Sequence, residues 1–435
     1  MDFSKSAALQ RKSHELIPGG CHTYAKGDDQ YPELAPGFIA RGEGCHVWDV
    51  DGNEYIEYGM GNRTVTLGHA YPAVVEAARR EMLNGANYGR PAPIEVACAE
   101  AFLEMVPGVD MVKFCKDGSD ANSAALRLAR AISGRDLIGI CSDHPFFAID
   151  DWFIGKTPID AGVPQAVKDL IVQFRYNDID SVQALFDARP GQIAALIMEP
   201  AKYEDPIDDF LHKTLKICHS EGALLILDEI ITGYRWHNGG AQTLYDIVPD
   251  LSTFGKAMGN GFAVSALAGK REYMELGGLT HDKERVFLLS TTHGGETHAL
   301  AAAMAVMHVY QHEPVIETME RQGARLKEGL DEAIRRHQLD GFVEIFGRPS
   351  CLVYATRNED REPSQAFRAL FMQEMIKRGI IGPSLVISYS HSDEDVRKTI
   401  DCLDGAFEVY AKALNDGVEQ HLIGRPLKIV YRRYN

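Results

Sequence analysis

The chain has 435 residues, of which 45% are hydrophobic and 25% charged, and its formal net charge is −17. This composition supports a large buried core and argues against disorder. The acidic balance argues against a nucleic-acid or anionic-membrane binder, since both need a basic footprint.

The N-terminal text MDFSKSAALQRKSHELIPGG is polar and has no apolar signal-like core, and nowhere do 18–20 apolar residues run unbroken. The eight cysteines are scattered and form no CxxC pair, so free thiols, no metal site and a cytoplasmic location are expected. Residues 3–16 show a helical pattern that stops at Pro18-Gly19-Gly20. Strand-like His46–Val50 and Tyr55–Tyr58 flank a turn at Asp51-Gly52-Asn53.

Farther along, helical patterns at 72–84, 93–106, 119–133, 179–187 and 208–221 alternate with apolar runs. The runs are Met111–Cys115, Leu137–Cys141, Ala194–Met198, Ala223–Leu227 and Ala263–Ala268. Short apolar runs between helices predict a largely parallel sheet covered on both faces. Helices follow at Ala299–Gln311 and Pro314–Gln338, then strand-like Phe342–Phe346 and Cys351–Tyr354, then helices near 363–378 and 393–413. The expected organisation is a large α/β domain over residues 61–325. A smaller α+β domain is built from 1–60 and 326–435. The basic stretch Arg425–Tyr434 reads first as a solvated or interface tail, and alternatively as a phosphate- or sugar-acid-binding element.

Four stretches carry candidate chemistry. Ala223–Ile230 reads as a buried strand that delivers Asp228 and Glu229 at its C-terminal end, where ligands collect in open α/β sheets. A strand-end acid can equally cap the following turn. Lys256 comes 28 residues later, between Gly255 and the glycines 259 and 261. A lysine there is either an ordinary surface residue or a buried, imine-forming amine. Lys116–Asn122 places Gly118 and Ser119 at a strand-to-helix turn, which suits an anion at a helix N-terminus or a simple N-cap. Ser290–Glu296 is a second hydroxyl-and-glycine turn ahead of a helix.

In this order and spacing the motifs resemble the class III aminotransferases, pyridoxal 5′-phosphate enzymes of fold type I, and within them the glutamate-1-semialdehyde aminomutase branch. The likeness extends from about residue 7 to residue 413. It rests on Gly19-Gly20, Trp48–Asn53, Leu67–Ala70, Asp117–Ala121 (where the family favours S-G-T-E-A), Glu199-Pro200, Asp228–Arg235, Gly239–Gln242, Pro249–Leu251, Gly255-Lys256 and Ser390–Asp395.

The resemblance implies that Lys256 holds the cofactor as a Schiff base and shuttles the proton. It implies that Asp228 keeps the pyridine nitrogen protonated, so that the ring serves as an electron sink. Gly118 and Ser119 would cradle the phosphate. Thr292 would reach the phosphate of a neighbouring subunit, which makes a homodimer with shared sites the expected assembly. His144 falls where the family stacks an aromatic residue on the ring, with Phe146 as an alternative, and Glu199 matches a carboxylate near the cofactor.

The likeness breaks after Gly20. Cys21–Gln30 carries Lys26 where the aminomutases have an arginine for the substrate carboxylate, and an ammonium cannot reproduce a bidentate fork. Arg63 and Arg90 are further candidates for an acidic substrate, each otherwise a surface salt-bridge residue. His22, Thr23, Tyr24, Lys26 and Asn62 make a polar set suited to a polyhydroxylated substrate.

The text H-T-Y-x-K-G resembles the subgroup that aminates sugars and aminocyclitols. Glutamate is then the expected donor and the terminal aldehyde of a sugar or sugar acid the acceptor. The preferred reaction forms 8-amino-3,8-dideoxy-manno-octulosonate for lipopolysaccharide. The alternatives are the intramolecular aminomutase, an amino-acid racemase or decarboxylase on the same scaffold, and a non-catalytic binding module.

Overall fold

The computed structural model describes residues 1–144 and 146–434. The chain divides into a unit of residues 72–316 and a second unit formed by 1–71 together with 317–435. The divisions thus fall near 71 and 316, not at 60 and 325. The backbone explains the shift. Gly44 bridges His69, and the Tyr389 amide donates to the Thr66 carbonyl at 2.7 Å, so residues 61–71 are tied to the second unit.

The larger unit is built on a seven-stranded sheet. Its order is Met111–Cys115, Ser265–Gly269, Leu251–Phe254, Leu224–Asp228, Ile193–Met198, Leu137–Cys141, Ile171–Phe174. Ser265–Gly269 runs antiparallel to both neighbours, and every other adjacent pair is parallel. Ile193–Met198 and Leu224–Asp228 are buried at every position. A parallel strand covered on both faces has no reason to alternate in polarity, and each leucine or isoleucine buried there contributes roughly 1.5–3 kcal/mol.

Two strands of this sheet do not stand out in the sequence. Ile171–Phe174 is a four-residue edge strand with an exposed Gln173. Leu251–Phe254 is buried although half of it is polar. Its hydroxyls are satisfied internally: Ser252 donates to Gln242 Oε1 at 2.7 Å and Thr253 to Asn122 Oδ1 at 2.6 Å.

The helix Gly118–Ser133 lies on this sheet through small residues, Ala121, Ala124, Ala125 and Ala129 among them. Asp117 caps it by accepting the Asp120 amide at 3.0 Å, and Gly134 closes it in the left-handed region at φ +66°.

The other unit holds a four-stranded sheet, ordered Ile39–Glu43, His46–Asp49, Glu54–Glu57, Ile380–Ile381. A three-stranded sheet of Val343–Phe346, Cys351–Thr356 and Leu385–Val386 accompanies it. Helices Gln365–Lys377 and Asp393–Asp416 pack together, with Phe371 stacked on Phe407 at 5.3 Å. The basic C-terminal stretch is anchored to this unit by Leu427, which is buried with Val47, Tyr55, Met372 and Ile376. Among the described residues no helix is long and apolar enough to cross a membrane.

Candidate active site

Register alone assembles the centre of the larger unit. Asp228 pairs with Thr253 across parallel strands, and the chain of Leu251–Phe254 then delivers Gly255 and Lys256 at the same end. On the other side, Met198 pairs with Leu227, so Glu199 leaves its strand beside Asp228. Lys256 sits at φ +39°, in the left-handed region that disfavours any residue with a Cβ.

Asp228 is fully buried and held by two donors. The Ile230 amide reaches Oδ1 at 2.9 Å, and Asn122 Nδ2 reaches Oδ2 at 2.8 Å. Burial, reinforced by the charge of Glu199, pushes its carboxyl up to about 6, and Lys256 opposes the shift. Glu199 is also buried, but Lys202, His144 and Lys256 outweigh its desolvation and hold it below the usual carboxylate range. Its Oε1 pairs with Lys202, while its buried Oε2 has no hydrogen-bond partner among the described residues. Lys256 thus feels both carboxylates.

His144 is buried, and its Nδ1 accepts the Glu199 amide at 3.0 Å. Burial lowers it to about 4, so it is neutral at pH 7 with its proton on Nε2. Its ring lies 4.9 Å from that of Tyr176. Phe146 is largely exposed and meets Phe153 edge-on at 5.5 Å.

The phosphate-type turn has clear geometry. Gly118 and Ser119 open the 16-residue helix, and their amides have no partner within it. A Cβ on Gly118 would come within 3.0–3.2 Å of three Ile230 carbons, so close packing as well as any anion demands glycine there. The Ser119 hydroxyl accepts the Ile149 amide at 3.0 Å, leaving its own proton to donate. Lys116 ties this turn to the second hydroxyl turn by pairing with Glu296 at 2.7 Å. Thr292 lies exposed in that second turn, its carbonyl accepting Asn87 Nδ2 at 3.0 Å. Arg90 is exposed.

In the unit formed by 1–71 and 317–435, a cavity of about 830 Å³ is lined by His22, Lys26, Gly61 and Asn62, among others. Lys26 is exposed at its edge; Tyr24, 67% exposed, and Arg63 are not among its lining residues. Arg63 Nε donates to Cys351 Sγ at 3.3 Å. It closes a turn in which Met60, Gly61, Asn62 and Arg63 all have positive φ, from +41° to +70°. Non-glycine residues rarely follow one another in this region, and the strain marks a segment held in place by its surroundings.

Motif reading gave no role to Asn122, Thr253 or Lys202. The available signal was one asparagine on an otherwise alanine-rich helix face.

The family model for class III aminotransferases matches residues 26–141 and 154–404. A glutamate-1-semialdehyde 2,1-aminomutase of Acetivibrio thermocellus is 33% identical over 428 residues, covering 92% of this chain and 97% of the relative. Among solved structures, the Sphingopyxis sp. MTA144 FumI protein in its PLP internal aldimine form superposes with a TM-score of 0.87 at 28% identity, covering 95% of this chain and 98% of that one. An omega-transaminase from Sphaerobacter thermophilus gives 0.82 at 26% identity, with 94% and 98% covered. The chain belongs to the class III aminotransferases, pyridoxal-phosphate-dependent enzymes with the type I fold.

Proposed function

We propose that this aminotransferase moves the amino group of glutamate to the terminal aldehyde of a sugar or sugar acid, with Lys256 and Asp228 as its catalytic pair. The carrying observation is that one buried strand end presents Asp228, already held by Asn122, next to the strand that delivers Lys256.

The residues fit pyridoxal phosphate. Each Asp228 oxygen has one protein donor and keeps lone pairs for a ring N–H. Glu199 Oε2 is a buried acceptor that lacks a donor among the described residues. The Gly118 and Ser119 amides and the Ser119 hydroxyl offer donors to a phosphate at the positive end of a helix dipole. When bound, the cofactor supplies an electron sink for the carbanion left by proton loss.

The chain's own groups do the rest. Asp228 would hold the cofactor's ring nitrogen protonated. Lys256 would hold the cofactor through its amine and would carry the donor's Cα proton. Glu199, kept ionised by Lys202, orients neighbouring donors, and neutral His144 offers a flat face to the ring with Phe146 as the alternative. Thr292, exposed in its turn, suits the phosphate of a second copy in a homodimer. In balance, glutamate and R–CHO become 2-oxoglutarate and R–CH2–NH2.

The acceptor reading is supported by Lys26 in place of an arginine, since an ammonium cannot reproduce a bidentate fork. Tyr24, Arg63 and Arg90 complete the candidate substrate set, and formation of 8-amino-3,8-dideoxy-manno-octulosonate remains the preferred reaction. The likeness to aminomutases favours the intramolecular reaction as the second reading. A two-stage half-reaction separates them. Glutamate should convert the cofactor to pyridoxamine phosphate, and a sugar aldehyde should then restore the original colour. Glutamate-1-semialdehyde turned over without any donor, with sugar aldehydes inert, would instead establish the aminomutase.

A further inference from the structure

In the unit formed by 1–71 and 317–435, the hairpin of residues 39–49 meets the start of the helix Asp393–Asp416 at three ligating side chains. Cys45, His46 and Asp395 each offer one atom, a thiol sulfur, an imidazole nitrogen and a carboxylate oxygen, and these atoms all lie within 4.8 Å of one another. Cys45 Sγ stands 3.5 Å from Asp395 Oδ2, and His46 Nε2 stands 3.0 Å from Oδ1. Cys45 and Asp395 are buried, whereas His46 is partly exposed and gives solvent a way in.

The backbone explains how adjacent residues reach one carboxylate. Neighbours within a strand point to opposite faces. Cys45 escapes this rule because the register pairs Glu43 with His46, leaving Gly44 and Cys45 as a two-residue turn. Gly44 takes φ +58° and exchanges backbone hydrogen bonds with His69, at 2.9 and 2.7 Å, which pins the turn. On the facing side, Asp395 is the third residue of its helix and closes a capping box with Ser392. The box occupies Oδ2, which accepts the Ser392 amide at 3.0 Å and its hydroxyl at 2.5 Å. It makes no use of Oδ1, the imidazole or the thiol.

Two further features suit a metal. Glu54 Oε1 makes an ion-pair contact with His46 Nδ1 at 2.9 Å, so a carboxylate backs the ring on its far side, as it does for most metal-ligating histidines. Burial and the Asp395 charge hold the Cys45 thiol well above its ordinary range, so by itself it is not a reactive thiolate. A divalent cation reverses that balance, since one thiolate and one carboxylate neutralise it. Sulfur and imidazole nitrogen in the donor set exclude magnesium and calcium, which take oxygen ligands.

We propose that Cys45 Sγ, His46 Nε2 and Asp395 Oδ1 bind a zinc ion that pins the 39–49 hairpin to the start of the 393–416 helix. Bond lengths of about 2.0–2.3 Å set tetrahedral ligand atoms roughly 3.5 Å apart, so the widest separation closes by roughly 1 Å. A water molecule completes the four ligands. As the zinc–sulfur bond forms the S–H bond breaks, and the thiol proton leaves to the buffer. The sequence carries no metal motif because Cys45 and Asp395 stand 350 positions apart.

The test uses the pyridoxal-phosphate holoenzyme, treated with a chelator, desalted and titrated with zinc chloride by calorimetry in two buffers of different ionisation enthalpy. Wild type should bind one zinc per chain with micromolar or tighter affinity and release about one to two protons, while magnesium gives no binding. Zinc should raise the melting temperature of wild type and not that of Cys45→Ala. Cys45→Ala should bind zinc at least about 100-fold more weakly, and Glu54→Gln, which alters no ligand, about 10–100-fold more weakly. Cobalt(II) should give wild type a sulfur-to-metal charge-transfer band that Cys45→Ala lacks. Absence of stoichiometric zinc binding in wild type would overturn the site. Unchanged affinity in Cys45→Ala would also overturn it, assigning the zinc to surface groups such as His308 and His312, whose rings lie 4.2 Å apart. Should Cys45→Ala not fold, His46→Gln takes its place in the titration under the same criteria.

Discussion

Asn122 donates its amide to Asp228 Oδ2 at 2.8 Å, and the oxygen of the same amide accepts the Thr253 hydroxyl at 2.6 Å. Its Nδ2 also donates to the Phe147 carbonyl at 2.7 Å. The amide is therefore fixed in one orientation, since a flip would set its oxygen against both a carboxylate and a carbonyl. Through Asn122, the strand that leads to Lys256 and the helix that opens with Gly118 and Ser119 act together on Asp228.

Removing this clamp tests its role. Asn122→Ala leaves Asp228 with the Ile230 amide alone and the Thr253 hydroxyl without its acceptor. A buried partner lost in this way costs about 1–3 kcal/mol. Steady-state kinetics should show kcat/KM falling roughly 5–150-fold by that measure, while the cofactor's absorbance is retained.

The buried Asp228 carboxyl also makes the cofactor-free protein sensitive to pH. Its position at about 6 lies above the ordinary 3.8, so between pH 4 and 6 the folded state binds more protons than the unfolded one. Stability from this group is present below pH 4 and is lost as pH rises through 6. Asp228→Asn removes the loss, by up to about 3 kcal/mol. Denaturant unfolding of the two apoproteins should show the variant gaining on wild type by up to about 3 kcal/mol between pH 4 and pH 8, on top of a pH-independent loss because its amide nitrogen faces one of the two donors. Glu229, which burial pushes up to about 7, is raised further by the Asp228 charge, so part of the difference between the two proteins passes through it.

Buried Glu199 and the partly buried Lys202 form a pair whose halves are not separable. Lys202→Met leaves an uncompensated buried carboxylate and should destabilise the protein by about 3–5 kcal/mol. Adding Glu199→Gln should recover most of that stability without restoring turnover. Thermal unfolding and activity of the two single variants and the double variant complete the cycle.

Much of this architecture is legible in the sequence. Dense apolar runs mark Ile193–Met198 and Leu224–Asp228 because both faces of those strands are covered. The two acids stand out because charge at the end of such a run needs an explanation, and Lys256 because it stands among small residues and glycines. Leu251–Phe254 is hidden because its burial is stabilised by hydroxyl hydrogen bonds to Gln242 and Asn122, partners remote in sequence. The anchoring of the C-terminal stretch is hidden for a different reason. A basic C-terminal stretch looks solvated until Leu427 is seen in the core and Arg432 on Asp29.

The left-handed turn at Met60–Arg63 holds strain that glycine relieves. Asn62, at φ +58°, faces the cavity and tolerates the region better than most residues. Asn62→Gly should leave the melting temperature nearly unchanged. Asn62→Val should cost about 1–3 kcal/mol of stability, the usual cost of a strained backbone position. Differential scanning calorimetry of the pair distinguishes backbone strain from a side-chain effect.

The most direct measurement is the absorbance and turnover of Lys256→Ala reconstituted with pyridoxal phosphate. The assignment predicts loss of the lysine-dependent visible band and of multiple turnovers, with rescue of neither by added glutamate. A Lys256→Ala protein that keeps the wild-type band and cycles glutamate with an aldehyde at the normal rate would contradict it.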